Sequence, residues 1–393
     1  MLISDEGLVM KVAISVGGKF HAFYLAEQLQ NNEDLSQLIT SYPRFEVLKS
    51  GISKDKISSI VVKELIQRGF GKLPNILQKR YDPQFFICDL YDQIAAKKLQ
   101  PCDVFVGWSS FSRHSLKKAK KFGALTILER GSSHIEYQRD VLSEEYERYG
   151  LKPSLPHPRI VDKELEEYAL ADYISVPSIF SKKSFLEKGF PYEKILHVPY
   201  GVDLKRFKPM EKKDNIFRII HCGAVTLRKG CHYLLKAFYE LNLPNSELWF
   251  VGTISHDMQS FIKQYEDERI KYHGPKPQSS LSWYYSQANV FSLLSLEEGL
   301  AMVQAQAMAC RLPVICTSNT GGEDLIQEGK SGFVIPIRDL DALKNKINFF
   351  FENPDKCKEM GIAAEQRVKN AFSWNKYGKK IIDEYKRVLL LND

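Results

Sequence analysis

What most limits the fold of this chain is a repeated switch between two hydrophobic periods. In the second half, Arg218-Ile-Ile-His-Cys-Gly223 reads as a strand, Gly230–Leu241 as a helix and Glu247–Gly252 as a strand. Ile270–His273, Asn289–Leu294 and Pro313–Cys316 follow as strands separated by helices, and two or three helices close the chain. The first half keeps the same rhythm, with strands at Val9–Val16, Gln37–Ser41, Asp103–Trp108, Ala124–Leu128 and Tyr173–Val176. Amphipathic stretches such as Phe20–Gln30 and Ser112–Phe122 lie between them. Short apolar runs alternating with helices call for parallel sheets built from strand–helix–strand units. The alternation pauses at Val198-Pro-Tyr-Gly-Val-Asp203 and the basic Leu204–Asn215 segment, then restarts. At 393 residues the chain exceeds what one core accommodates. The expected fold is therefore α/β, two Rossmann-like doubly wound domains facing a central cleft, with ligands outside the carboxyl ends of the strands.

Composition narrows the classes. With 44% hydrophobic and 26% charged residues the chain is an ordinary globular one. A net charge of +7 permits contact with phosphates or an anionic membrane surface without indicating either, and no nucleic-acid-binding motif accompanies it. The seven cysteines form no CxxC pair or zinc spacing, so buried free thiols in a reducing compartment are expected. The apolar run Leu8–Val16 is interrupted by Lys11 and ended by Gly17-Gly18, which suits a buried strand better than a membrane span or signal peptide. A cytoplasmic location is expected, extending to the inner face of the membrane if the cationic helix Arg113–Lys121 is more than a solvated face.

Three loops at strand ends carry the chemistry. Gly223-Ala-Val-Thr-Leu-Arg-Lys-Gly230 joins a strand to a helix, and Arg228, Lys229 and the helix amides suit a phosphate or diphosphate; a solvated basic loop is the competing reading. Asn319-Thr-Gly-Gly-Glu-Asp324 follows another strand, where Gly321 and Gly322 would let backbone approach an anion or simply form a turn. Gly17-Gly18 repeats that arrangement across the cleft. The third loop carries Glu298-Gly299 before a helix of small residues, either as a cap stabilised by the helix dipole or as an acceptor for sugar hydroxyls beside a polyanion site. In the first domain, His134 in Glu129-Arg-Gly-Ser-Ser-His134 could bind or deprotonate a ligand, or be an ordinary structural histidine; His21 is the weaker candidate.

Taken in order, these segments resemble the retaining glycosyltransferases of family 4, which have the GT-B fold. Val198-Pro-Tyr-Gly-Val-Asp203 is similar to the family's linker. Gly223 to Lys229-Gly230 resembles its phosphate loop, Glu298-Gly299 its E-x7-E motif, and Leu312-Pro-Val-Ile315 with Gly321-Gly322 the loop beyond. Phe372-Ser-Trp374 resembles the lead-in to a last helix that crosses back onto the first domain. The resemblance implies an acceptor-side domain at 1–199, a nucleotide-sugar domain at 200–374 and a returning helix at 375–391. It implies transfer of a sugar from a nucleotide diphosphate donor to a hydroxyl acceptor, sugar or lipid-linked, with retained configuration and no essential metal or other cofactor. Polysaccharide, cell-envelope or glycolipid synthesis is the setting. Carried over by position, Arg228 and Lys229 hold the diphosphate, Glu298 the donor sugar, and Gly17, Gly18, Gly321 and Gly322 give backbone contacts. Gln306 meets the ribose, backbone at His273-Gly274 meets the base, and His134 stands near the reacting sugar. The chain departs from the family at Ala224, where many members have arginine, and at Gln306, where the second glutamate of E-x7-E is expected. An amide still exchanges hydrogen bonds with a hydroxyl.

Two other readings share much of this pattern, a nucleotide-sugar 2-epimerase and a non-catalytic nucleotide-sugar-binding subunit of a transferase pair. A nicotinamide-dependent dehydrogenase is disfavoured, because neither domain's first strand leads into GxGxxG.

Overall fold

The computed structural model describes residues 9–71 and 82–392. Leu8, the first residue of the apolar run, lies outside the described residues. One parallel sheet is formed by β1 (Val12–Val16), β2 (Leu35–Thr40), β3 (Ile57–Ser59), β4 (Val104–Trp108), β5 (Leu125–Glu129), β6 (Tyr173–Val176) and β7 (Ile195–His197). Their spatial order is β3-β2-β1-β4-β5-β6-β7. A second parallel sheet comprises β8 (Phe217–Cys222), β9 (Ser246–Val251), β10 (Ile270–Tyr272), β11 (Val290–Leu293), β12 (Val314–Thr317) and β13 (Gly332–Ile335), ordered β10-β9-β8-β11-β12-β13. In each sheet the order reverses beside the first strand, between β1 and β4 and between β8 and β11. Loops leaving those strands diverge and open a crevice at their carboxyl ends.

The central strands show why the apolar runs are continuous rather than alternating. Every residue of β1, β4, β5, β8, β11 and β12 is buried, as expected when helices cover both faces of a parallel sheet. The edge strands β3, β7 and β13 are absent from the sequence-based expectation. At three or four residues each, they are too short to display a period of their own.

The two sheets are joined by a pair of adjacent crossings. In the linker, the Val202 amide donates to the Phe372 carbonyl at 2.8 Å, just where the chain returns. Ser373 caps the returning helix Trp374–Leu390 by accepting from the Lys376 amide. Tyr377, Ile381, Tyr385 and Val388 recur on one buried face of that helix, which packs on the first-domain helix Ala22–Asn31. Trp374 stacks on Tyr24 with ring centroids 4.0 Å apart. One continuous apolar cluster therefore contains residues of both sheets, the linker and the last helix.

Gly201 marks the tightest point of this junction. A Cβ there would lie 2.6 Å from the Trp374 nitrogen and 2.7 Å from its Cα, so only backbone could yield. At Gly378 the obstacle is the Gln28 side chain, with Oε1 at 2.5 Å, Cγ at 2.6 Å and Cβ at 2.7 Å, so the side chain as a whole must shift. Gly201→Ala is expected to cost about 1–3 kcal/mol, and Gly378→Ala less, because a side chain yields more readily than backbone and the helix propensity of alanine offsets part of the contact. Thermal unfolding of the two variants tests this, and equal melting temperatures would contradict it.

Candidate active site

Between the carboxyl edges of the two sheets lies a cleft of about 1730 Å³. The first domain lines it with Phe20 and His21 after β1, Trp108–Phe111 after β4 and Arg130–Ser132 after β5. The second domain lines it with Gly223, Ala224, Arg228 and Lys229 after β8, and with Glu298, Leu300–Val303 and Gln306 after β11.

The loops after β8 and β11 are fastened by opposed charges. Lys229 Nζ pairs with Glu298 Oε1. Arg228 Nη2 lies 2.9 Å from Glu297 Oε2 and 3.8 Å from Glu298 Oε1, and its Nε donates to the Glu297 carbonyl at 3.2 Å. The Leu296 amide closes the junction by donating to the Arg228 carbonyl at 2.8 Å. Burial acts to lower the Arg228 pKa, but Glu297 and Glu298 outweigh it and leave the guanidinium more firmly charged. Burial likewise acts to raise the Glu297 carboxyl, and Arg228 with Ser132 and Ser133 holds it below its ordinary value.

Glu298 is not a helix cap. The helix runs from Met302 to Ala309 and its N-cap position is Ala301, whose side chain makes no capping bond. Its first turn, Met302 and Val303, faces the cleft, so main-chain amides and the positive end of the helix dipole add to Arg228 and Lys229. Met302 and Val303 are absent from the sequence-based set of site residues. The available signal was Gly-Leu-Ala-Met leading straight into a helix with no Ser, Thr, Asp or Asn to cap it. Gln306 lies one turn further, lines the cleft, and its Oε1 accepts from Tyr285 Oη at 3.2 Å.

The expected glycine contacts need correction. Gly17 and Gly18 are buried behind two aromatic rings, and a Cβ would come within 2.2 Å of Phe111 at Gly17 and 2.7 Å of Phe20 at Gly18. They make room for cleft-lining rings rather than line the cleft themselves. Gly321 and Gly322 are also buried, the former against Gly299 and Leu300, the latter against Cys316. They support the Glu298 loop from beneath, where the Glu298 amide donates to the Asn319 carbonyl at 2.9 Å. His273 packs between Trp249 and Tyr284, with centroids 4.5 and 5.3 Å away. It is Pro275 and Lys276, just past Gly274, that line the cleft.

His134 is corrected most clearly. It is the N-cap of helix Ile135–Arg148, where its Nδ1 accepts from the Glu136 amide, and its ring packs on Tyr168 and Phe185 at 5.0 Å each. It is buried, outside the cleft lining. Burial, then Arg130 and Lys188, push its pKa down to about 4. The histidines that do line the cleft are His256 and His21, the latter with its Nε2 3.1 Å from Glu129 Oε2 and its ring centroid 4.2 Å from that of Tyr200 in the linker. Tyr385 of the returning helix lies 3.4 Å from the other Glu129 oxygen, so the domain junction reaches the cleft floor.

Among the described residues, Asp89, Asp92 and His114 are the one group close enough to share a metal ion. Lys163 Nζ already sits 2.9 Å from both carboxylates, filling the cationic role. The cationic helix Arg113–Lys121 is partly neutralised in the same way, with Arg113 on Asp89 and Glu166 and Lys120 on Asp172. All seven cysteines are free and buried. No helix of the described residues is long and apolar enough to cross a membrane.

Two Rossmann-like domains facing a cleft with this strand order define the GT-B class. Residues 203–367 match the family model described as glycosyl transferases group 1, and the second domain belongs to that family. The GDP-mannose-dependent alpha-(1-6)-phosphatidylinositol monomannoside mannosyltransferase of Mycolicibacterium smegmatis is 24% identical over 236 residues, 54% of this chain and 62% of that protein. The putative colanic acid biosynthesis glycosyltransferase WcaL of Escherichia coli is 27% identical over 199 residues, 47% of this chain and 49% of its own. The chain thus spans between about half and three-fifths of these curated relatives. Among solved structures, sucrose-phosphate synthase from Thermosynechococcus elongatus superposes with TM-score 0.72 at 17% identity, covering 97% of this chain and 99% of that one. Anabaena HepE in complex with UDP and glucose superposes with TM-score 0.66 at 15% identity, covering 96% and 99%.

Two buried histidines set a pH dependence. His134 and His221 are both held down to about 4 by burial, from 6.5 in the unfolded chain. Below pH 6.5 the unfolded state takes up protons that the folded state refuses, so stability is full above that pH and falls as pH drops toward 4. His134→Asn keeps a capping side chain and removes one such site. Its urea-unfolding stability should fall less steeply than that of the natural chain across this window, by up to about 1.4 kcal/mol per pH unit. Parallel curves would contradict the assignment.

Proposed function

We propose that the chain is a retaining glycosyltransferase that moves a sugar from a nucleotide diphosphate donor to a hydroxyl acceptor. The observation that carries this reading is the convergence of Arg228, Lys229 and the first turn of helix Met302–Ala309 on one side of the cleft, with Glu298 between them. Breaking the bond between the sugar and its phosphate builds negative charge on the departing diphosphate. Fixed cations and oriented amides in a partly dehydrated cleft stabilise that charge without reorganising. In the unliganded site Lys229 neutralises Glu298. An arriving diphosphate takes over Lys229, and the Glu298 carboxylate is released to accept hydrogen bonds from the donor sugar's hydroxyls.

On this reading Gln306 meets the ribose, and the base lies along Pro275 and Lys276. The departing phosphate itself takes the acceptor proton, since His134 is turned away from the cleft and Glu298 is engaged with the donor sugar's hydroxyls. The reaction needs no metal, because Arg228 and Lys229 supply the positive charge. The acceptor enters from the first-domain side, and the relatives' names support polysaccharide or glycolipid synthesis. Those names also favour transfer over epimerisation and over a purely binding subunit.

Titration calorimetry with UDP and GDP should show Lys229→Ala weakening the better-bound nucleotide by about tenfold or more, the worth of a charge-assisted hydrogen bond. Acceptor-free hydrolysis of the matching nucleotide sugar should fall by about 10²-fold or more in Glu298→Ala. Undiminished binding or turnover would sink the respective assignment. Gln306→Glu should alter nucleotide affinity while leaving kcat within a few-fold; turnover arising only in that variant would instead mark the natural chain as non-catalytic.

A further inference from the structure

Glu297 stands beside Glu298 in sequence but faces the other way. Its side chain is fully buried, and its carboxylate joins the two domains. From the first-domain loop after β5, Oε1 accepts from Ser132 Oγ, from the Ser133 amide at 2.9 Å and from Ser133 Oγ at 2.7 Å. From the second domain, Arg228 approaches Oε2 at 2.9 Å. The backbones beside it touch with no side chain between them: a Cβ on Gly299 would fall 2.1 Å from the Gly131 carbonyl oxygen. The Gly299 carbonyl accepts from Ser178 Oγ at 2.7 Å, a second bond across the same seam.

We propose that Glu297 is a positioning residue that latches the first domain over the donor site and holds Arg228 in its cleft-facing pose. The proposal rests on the reading of Arg228 as a diphosphate ligand. A carboxylate with no exposed surface is tolerated only while it is neutralised and its oxygens are hydrogen-bonded. Arg228, in the same domain, supplies the neutralising charge, but all three donors to Oε1 come from the first domain, so the hydrogen-bonding condition is met only when the domains are together. Opening the cleft at this seam strips Oε1 of all three donors at once. Closing it fixes the carboxylate, and the carboxylate then fixes the guanidinium through Nη2, and through Nε on its own carbonyl. A guanidinium has five donors, so this leaves capacity for a phosphate. Donor binding and closure at residues 131–133 are thereby coupled through one side chain. A separate tether at the outer rim, where Glu145 takes His232, Tyr233 and Arg338, lets the inner seam respond without the domains parting.

Two substitutions separate the parts of the latch. Glu297→Asp keeps the charge but shortens the reach, so it cannot hold Ser133 and Arg228 together. Ser133→Ala removes one donor from the first domain and leaves the second untouched. Hydrogen-exchange mass spectrometry on the full chain, with and without saturating UDP or GDP, reads the seam at residues 130–134, and donor hydrolysis reads kcat and KM. In the natural chain nucleotide should slow exchange at residues 130–134 by about tenfold or more, a gain of the size of one charge-assisted hydrogen bond. Glu297→Asp should lose that protection and lower kcat more than it raises donor KM, and Ser133→Ala should do so to a smaller degree. Unchanged protection and unchanged kcat in both variants, with melting temperatures near that of the natural chain, would overturn the proposal. If Glu297→Asp does not fold, Ser133→Ala decides the outcome by the same two readouts. If the natural chain binds neither nucleotide, the donor-site reading fails on its own; faster exchange at 130–134 in the nucleotide-free variants then still supports the latch, and equal exchange overturns it.

Discussion

Two neighbouring cations on one loop, Arg228 and Lys229, face two neighbouring carboxylates on another, Glu297 and Glu298, and the site depends on how these four charges divide. In the inner pair Glu297 is fully buried and anchored to the first domain, while its partner Arg228 is partly exposed at the cleft. The outer pair, Lys229 with Glu298, has no first-domain anchor in its contact and lines the cleft where a donor would enter. A buried ion pair contributes little net stability. This one earns its place by defining where charge sits in the cleft.

Everything around the quartet keeps it in register. Parallel sheets with fully buried central strands fix the loop ends, and the order reversal beside β1 and β8 opens the crevice into which they project. The linker and the returning helix run side by side with backbone contact at Gly201, so the two domains share a core rather than hang from a tether. The same junction supplies Tyr200 and Tyr385 to the His21–Glu129 pair on the cleft floor. Fold and site are therefore coupled through a few aromatic side chains.

The architecture was legible in the sequence because short apolar runs, each ended by a glycine or polar loop, alternate regularly with amphipathic stretches. The second-domain loops were legible because charged and glycine residues there follow strands directly, and position after a strand is a one-dimensional property. Side-chain direction is not. His134 follows a strand just as Lys229 does, yet it begins a helix whose first amide claims its Nδ1, and its ring turns into the core. Gly17 and Gly18 signalled close approach correctly but not by what, since the aromatic ring filling the space beside Gly17 comes from Phe111, far along the chain. Glu297 was invisible for the same reason: its partners Ser132 and Ser133 lie more than one hundred residues away, brought near only by the closure of two domains. The edge strands were lost to their brevity.

The central claim is that the four charges form a donor-diphosphate site in which Lys229 changes partner. A crystal structure of the full chain grown with UDP or GDP tests it most directly. The account predicts phosphate oxygens within hydrogen-bonding distance of Arg228, Lys229 and the Met302 or Val303 amide, with Lys229 parted from Glu298 and Glu297 still on Ser133. A nucleotide bound elsewhere, or one bound in the cleft with the Lys229–Glu298 pair intact, would contradict it.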